Sequence, residues 1–290
     1  MTTSTPDIIF PGLNISINQL NRVAFTIFGF DIYWYGLLIC IGALLGIAFA
    51  TKYAKSIGIS SDFVIDYAVF VILFGIVGAR IYYLIFHGDS LADFFSIREG
   101  GLAIYGGIIA GTLFTIYYTR KNRVPFLKFG DVAVQGVIIG QIIGRYGNFV
   151  NREAFGGPAS GFTRLLYKAT EVSGLIIKDN IGIYNNTHYP LEFINNTAYI
   201  SVHPTFLYES VWNLLVLIFI ICFRKHKKFN GQIACIYFIL YGFGRFLIEA
   251  MRTDQLMIMN IPVSMLLSAI IVLFWLIFML YKLKKAKEVI

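Results

Sequence analysis

The sequence predicts an all-α polytopic membrane protein, with about seven transmembrane helices and a small mixed extracytoplasmic insert between the fourth and the fifth. Three observations predict it. The first is composition: 57% of the 290 residues are apolar and 14% charged, whereas soluble domains run at about 45–50% apolar and about 25% charged. The second is the recurrence of apolar runs at the length a bilayer demands. The third is the alternation of basic and less basic connections between those runs.

A spanning helix needs about 20 mainly apolar residues. The runs 32–51, 63–86, 101–119, 205–223, 232–251 and 261–281 approach that length. A further run, 132–146, is shorter and is interrupted by Gly136, Gly140 and Gly144. It reads as a tightly packed crossing or a half-span, because glycine lets helix backbones approach closely. The insert covers 147–203. Its stretches 174–184 and 188–200 are rich in Ile, Tyr and Asn and predict short strands and turns. The whole chain, 1–290, is read as one membrane domain carrying that insert.

Lysines and arginines crowd the connections at 52–55, 120–128, 224–228 and the tail 282–287. The intervening connections hold Arg22, Arg98 and Arg252, and in the long insert Arg152, Arg164, Lys168 and Lys178. Basic loops face the cytoplasm. The N-terminus is therefore expected outside and the C-terminus in the cytoplasm, and the parity requires 132–146 to cross. The net charge of +8 then reflects topology and contact with anionic lipid rather than nucleic acid. The cysteines, Cys40, Cys222 and Cys235, sit in or beside apolar runs without metal-ligand spacing, which argues against a zinc site or a disulfide scaffold. The first run, preceded by no short-core cleavage pattern, reads as an uncleaved span.

Charge inside a span costs about 2.5–3.5 kcal/mol per residue near the helix centre, so Arg80, Arg145, Arg245 and Glu249 call for an explanation. With the orientation above, they fall near the outer ends of their runs, at the level of Tyr35, Tyr105 and His203. Arginines at span ends can simply snorkel to the headgroups. Tyr241, Arg245, Glu249 and Arg252 are spaced four, four and three apart and share one helix face. An Arg245–Glu249 pair there is either an internal lock or an orienting pair for an anion. Arginine suits phosphate because its planar fork donates two hydrogen bonds at once. The segment 144–157 sets Arg145, Asn148, Asn151, Arg152 and Glu153 among four glycines. It reads as a glycine-rich loop whose backbone N–H groups can meet an anion.

These residues resemble those of a known family. Gly144-Arg145-x-Gly147-Asn148-Phe149-x-Asn151-x-Glu153-x-x-Gly156 is similar to the signature of the prolipoprotein diacylglyceryl transferases. So are Trp34-Tyr35-Gly36, His203-Pro204-Thr205-x-Leu207-Tyr208-Glu209, and Tyr241-Gly242-x-x-Arg245-x-x-x-Glu249-x-x-Arg252. The resemblance implies a transferase of the bacterial cell membrane. Its members move the sn-1,2-diacylglyceryl group of phosphatidylglycerol to the lipobox cysteine thiol of a preprolipoprotein, without metal or cofactor. A thioether forms and glycerol 1-phosphate leaves, the first step of lipoprotein maturation. By the same resemblance Arg145 and Arg245 handle the phosphate, Asn148, Glu153 and Gly156 shape the loop, and Tyr35, Tyr241 and Glu249 complete the lipid site. Many members carry a histidine, proposed as the base, where this chain has Tyr105. A neutral tyrosine of pKa about 10 is a poor base for a thiol of pKa about 8.5. Tyr105 is therefore expected to orient a group, and His203 or a lipid phosphate oxygen to take the proton. The competing class is a transporter or channel with an outer-facing anion site, which should show polar groups through the whole membrane depth. An intramembrane hydrolase would need a nucleophile–base pair or a metal motif such as His-Glu-x-x-His, and the sequence has neither.

Overall fold

The computed structural model describes residues 5–87, 94–96, 100–259 and 261–287; Arg98 lies outside them. The chain forms two compact units, Met1–Leu45 with Val137–Ile290, and Gly46–Gly136. The long helices are α1 (Trp34–Ser56), α2 (Ser61–His87), α3 (Ile104–Lys121), α4 (Phe126–Asn151), α5 (Thr205–Phe223), α6 (Gln232–Glu249) and α7 (Val263–Lys287). Among the described residues six helices are long and apolar enough to cross a membrane; α3, at 18 residues, is not one of them. The run expected to be short, 132–146, is instead the core of the 26-residue α4.

In the unit Gly46–Gly136, small residues let helices meet. A Cβ at Gly46 would lie 3.2 Å from the Gly136 carbonyl carbon, and one at Gly78 would meet the Ala110 side chain at 2.3 Å. Such packing suits helices in lipid, where close van der Waals contact replaces the hydrophobic drive. The Tyr67 hydroxyl bonds to Thr115 at 2.8 Å, and the Tyr67 ring stands edge-on to Phe129.

In the other unit the helices carry a seven-stranded antiparallel sheet. Its strands are β1 (Ile8–Phe10), β2 (Ile15–Ile17), β5 (Leu165–Lys168), β6 (Ile176–Lys178), β7 (Ile181–Tyr184), β8 (Thr187–Ile194) and β9 (Thr197–Val202), in the order β2-β1-β5-β9-β8-β7-β6. A separate hairpin joins β3 (Val23–Ile27) to β4 (Phe30–Tyr33), and a short pair joins β10 (Met257–Ile258) to β11 (Ile261–Pro262). The sheet is larger than a small insert, because the N-terminal segment contributes β1 and β2 to it: β1 pairs with β5, Ile8 opposite Tyr167. Polar alternation in so short an N-terminal stretch gave no sign of that partner. The sheet's buried core is Ile8, Leu165, Tyr167, Val172, Tyr189, Ile200 and Val202, with Phe155 and Phe206. Phe149 of α4 packs on Phe206 of α5, with ring centroids 4.7 Å apart and planes tilted by 31°, and both join the sheet's core, so the sheet is seated on the ends of those two helices.

Candidate active site

Of the glycine-rich segment 144–157, residues 144–151 are helical and only 152–157 lie outside a helix. Helix α4 runs to Asn151 and ends where Arg152 takes a left-handed φ of 54°. Glycines that weaken a helix in water are accommodated because α1 packs on them: a Cβ at Gly42 would lie 3.2 Å from Gly140 Cα, and one at Gly147 would lie 2.4 Å from the ring of Tyr35. The expected cradle of backbone N–H groups is therefore absent at 144–151, where the amides serve the helix. The side chains carry the polarity instead.

Arg145 lies near the C-terminal end of α4, Arg245 near that of α6, and Glu209 in the second turn of α5. Three bonds hold these ends together. The Ser210 hydroxyl donates to Ile142 O (3.1 Å), Trp212 Nε1 to Leu240 O (2.9 Å), and the Tyr237 hydroxyl to Gln141 Oε1 (3.1 Å). Gly244 makes room for the indole, for a Cβ there would lie 2.1 Å from Trp212 Nε1.

At this junction Glu209 is ion-paired with both arginines, its Oε2 with Arg145 Nε and its Oε1 with Arg245 Nη1. Arg245 Nη2 also pairs with Glu249 at 2.6 Å, the i,i+4 pair expected from the sequence. The carboxylates are buried, with 5% of the Glu209 side chain and 4% of the Glu249 side chain exposed. The arginines are partly exposed, at 22% of the side chain for Arg145 and 16% for Arg245. One carboxylate between two guanidiniums offsets their mutual repulsion and fixes their planes before any ligand arrives. Tyr241 is half-buried and stacks on Tyr237 at 5.5 Å.

Around this core lies a ring of further polar contacts. Arg145 Nη1 reaches Asn148 Oδ1 at 3.4 Å, and Asn148 and Asn151 both donate to Glu153 Oε1, at 3.0 and 3.3 Å. Gly156 N donates to His203 O and Gly157 N to Met251 O. A Cβ at Gly156 would lie 2.8 Å from His203 Cβ and 2.9 Å from Met251 O, which explains glycine there. His203 Nδ1 lies 3.3 Å from the Tyr208 hydroxyl. Arg252 grips Asp254 with two bonds of 2.9 and 2.7 Å and lies 3.9 Å from Glu249.

Of the residues predicted from sequence, Arg145, Asn148, Glu153, Gly156, His203, Arg245 and Glu249 thus join one bonded neighbourhood, with Tyr35 and Tyr241 packed in the same unit. Tyr105 belongs to the other unit, half-buried in the first turn of α3. Arg80 is there too; it is 4% exposed and donates to Phe94 O, Gly100 O and Gly101 O at 2.9–3.2 Å. Its buried guanidinium meets carbonyls of the connection into α3 rather than snorkelling to the headgroups. Glu209 was not singled out from sequence, although an acid four residues into a spanning run is itself a signal. Arg152, counted as a loop charge, is 2% exposed and donates to Leu20 O (2.9 Å) and Asp7 (3.3 Å). It ties the N-terminal segment to the end of α4.

Six helices among the described residues are long and apolar enough to cross a membrane and define a multi-pass membrane protein, in which two arginines meet at a buried carboxylate. Residues 22–281 match the family model of the prolipoprotein diacylglyceryl transferases, and the chain belongs to that family. It is 39% identical over 273 residues to the phosphatidylglycerol–prolipoprotein diacylglyceryl transferase of Clostridioides difficile (strain 630), covering 93% of this chain and 98% of the relative. It is 41% identical over 259 residues to that of Finegoldia magna, covering 88% and 92%. It is 37% identical over 279 residues to that of Oceanobacillus iheyensis, covering 93% and 90%.

Proposed function

We propose that this chain transfers the sn-1,2-diacylglyceryl group of phosphatidylglycerol to the lipobox cysteine thiol of preprolipoproteins. The single observation that carries the mechanism is the pair of partly exposed arginines that share the buried carboxylate of Glu209. In the reaction the bond from the diacylglyceryl sn-3 carbon to the phosphate oxygen breaks. A carbon–sulfur bond forms, glycerol 1-phosphate leaves, and the thiol proton passes to an acceptor. Charge grows on the departing phosphate. Arginine donors already oriented toward it stabilise that growth without reorganising, and their forks match its oxygens. Asn148, Glu153 and Gly156 keep Arg145 and the turn after α4 in place. Tyr35 and Tyr241 hydrogen-bond lipid oxygens. Tyr105 orients a reacting group, and the proton goes to His203 or to a phosphate oxygen.

The topology in this proposal has seven crossings, α3 included, with the N-terminus outside, the C-terminus in the cytoplasm, and residues 147–203 on the outer face. The arginines then lie at the level of the outer lipid phosphates, where the thiol of a signal peptide emerges. The scarcity of charge elsewhere in the long helices favours this reading over a transport path. The test is transfer by purified protein in phosphatidylglycerol vesicles with a lipobox peptide, for wild type, Arg145→Ala and Arg245→Ala. Both variants should insert and lose transfer; full activity in both would remove the arginines from the chemistry.

A further inference from the structure

The hairpin β3–β4, which no step of the transfer uses, has a pattern that a soluble surface does not carry. Its register pairs Phe25 with Ile32, Thr26 with Asp31, and Ile27 with Phe30. Because side chains alternate across a strand, Phe25, Ile27, Phe30 and Ile32 share one face and Thr26 and Asp31 the other. The polar face is exposed and closed by a 2.7 Å bond from the Thr26 hydroxyl to Asp31 Oδ1. On the apolar face Phe25 is 46% and Ile27 48% exposed, and Phe28 at the turn is 97% exposed. A two-stranded hairpin by itself is at best marginally stable in water.

The connection to α1 says what covers that face. Strand β4 ends at Tyr33 and α1 begins at Trp34 with no intervening residue. Tyr33 is 52% and Trp34 37% exposed, and amphipathic aromatics of this kind gather at membrane–water boundaries. The apolar face is therefore continuous with the surface that α1 presents to lipid. The open edges of a two-stranded hairpin set a limit on depth, since unpaired backbone groups are not tolerated in hydrocarbon. An exposed carboxylate on the opposite face sets the same limit.

We propose that β3–β4 is an interfacial anchor. It lies flat in the leaflet at the N-terminal end of α1, with Phe25, Ile27 and Phe28 among the upper acyl chains and Thr26 and Asp31 in the headgroup water. The next residue of the helix after Trp34 is Tyr35, whose ring rests on Gly147 two residues beyond Arg145. The hairpin thus sets the height of the arginine site relative to the plane of lipid phosphates. This inference holds whether or not the chain performs the transfer proposed above.

The test uses the full chain in phosphatidylglycerol–phosphatidylethanolamine vesicles. Cys40, Cys222 and Cys235 are replaced by Ser, and a nitroxide label is placed at Phe28→Cys or Thr26→Cys. Collision with dissolved oxygen, which concentrates in acyl chains, is compared with collision with a water-soluble nickel chelate. The label at 28 should favour oxygen over the chelate by about tenfold relative to the label at 26. Equal chelate access at both positions would overturn the proposal by placing the hairpin in water. Dipolar broadening between labels at 28, removed by dilution with unlabelled protein, would overturn it in favour of a second copy as the covering partner. Because Thr26→Cys removes the bond to Asp31, a third label at Asn14→Cys, on the exposed turn between β1 and β2, serves as the aqueous reference. A label at 28 no more oxygen-accessible than the one at 14 would equally refute the anchor.

Discussion

Replacing Glu209 by Gln removes the charge that both site arginines share, while leaving the side-chain shape. Breaking a buried ion pair from one side costs about 3–5 kcal/mol, because the remaining charge is left uncompensated. Here two guanidiniums lose their common partner and face each other. Their partial exposure, 22% and 16%, lets water recover some of the loss, which leaves about 2–3 kcal/mol. Arg245 keeps Glu249 and stays on its helix, so the damage falls on the relative placement of the two forks. If that placement is what the transition state uses, transfer should fall about 30- to 160-fold, at about 1.4 kcal/mol per factor of ten. The assay is initial-rate thioether formation on a lipobox peptide, followed by mass spectrometry, at saturating phosphatidylglycerol. Glu209→Asp, which keeps the charge on a shorter stem, should recover part of the loss. A folded Glu209→Gln protein working within about threefold of wild type would refute the reasoning.

Arg145→Lys and Arg245→Lys keep the charge but lose the planar fork, and each should cost about 100-fold in kcat, read in the same assay. Gly156→Ala puts a methyl group 2.8 Å from His203 Cβ and should lower stability by about 1–3 kcal/mol, seen as a lower Tm in detergent. Tyr105→Phe tests whether its hydroxyl matters: an orienting hydroxyl predicts a substantial loss of transfer with the protein intact, and near-normal rates would remove it from the chemistry. The Tyr189 hydroxyl donates to Gly156 O at 3.2 Å and burial pushes its pKa up to about 12, with the Thr253 hydrogen bond opposing. The folded state thus holds this proton more tightly than the unfolded one. The associated stability is fully present below about pH 10 and is lost between there and about 12. Alkaline unfolding curves should show the loss, and Tyr189→Phe should flatten that segment.

The long helices were legible because hydropathy at bilayer length leaves few alternatives; the run 205–223 coincides with α5. The Arg245–Glu249 pair was legible for an equally local reason, since i,i+4 spacing fixes neighbours on a helix. What depended on tertiary partners was not. Glycines at 136, 140 and 144 made α4 look interrupted, because the cost of glycine in a helix can be read from sequence and the facing backbone of α1 cannot. Glu209 looked like an ordinary motif acid until α4 and α6 brought both arginines to it. Arg152 looked like a loop charge, because nothing local announces that residues 130 and more positions earlier supply its acceptors. The strand pairing of residues 8–10 was hidden by the same distance in sequence.

The most direct measurement is product analysis with purified wild-type protein, phosphatidylglycerol labelled separately in the diacylglyceryl and headgroup glycerols, and a peptide with a single lipobox cysteine. The account predicts a peptide carrying the diacylglyceryl label on sulfur, with one equivalent of glycerol 1-phosphate carrying the headgroup label. Folded protein that yields no thioether, or a peptide that retains the phosphate, would contradict it.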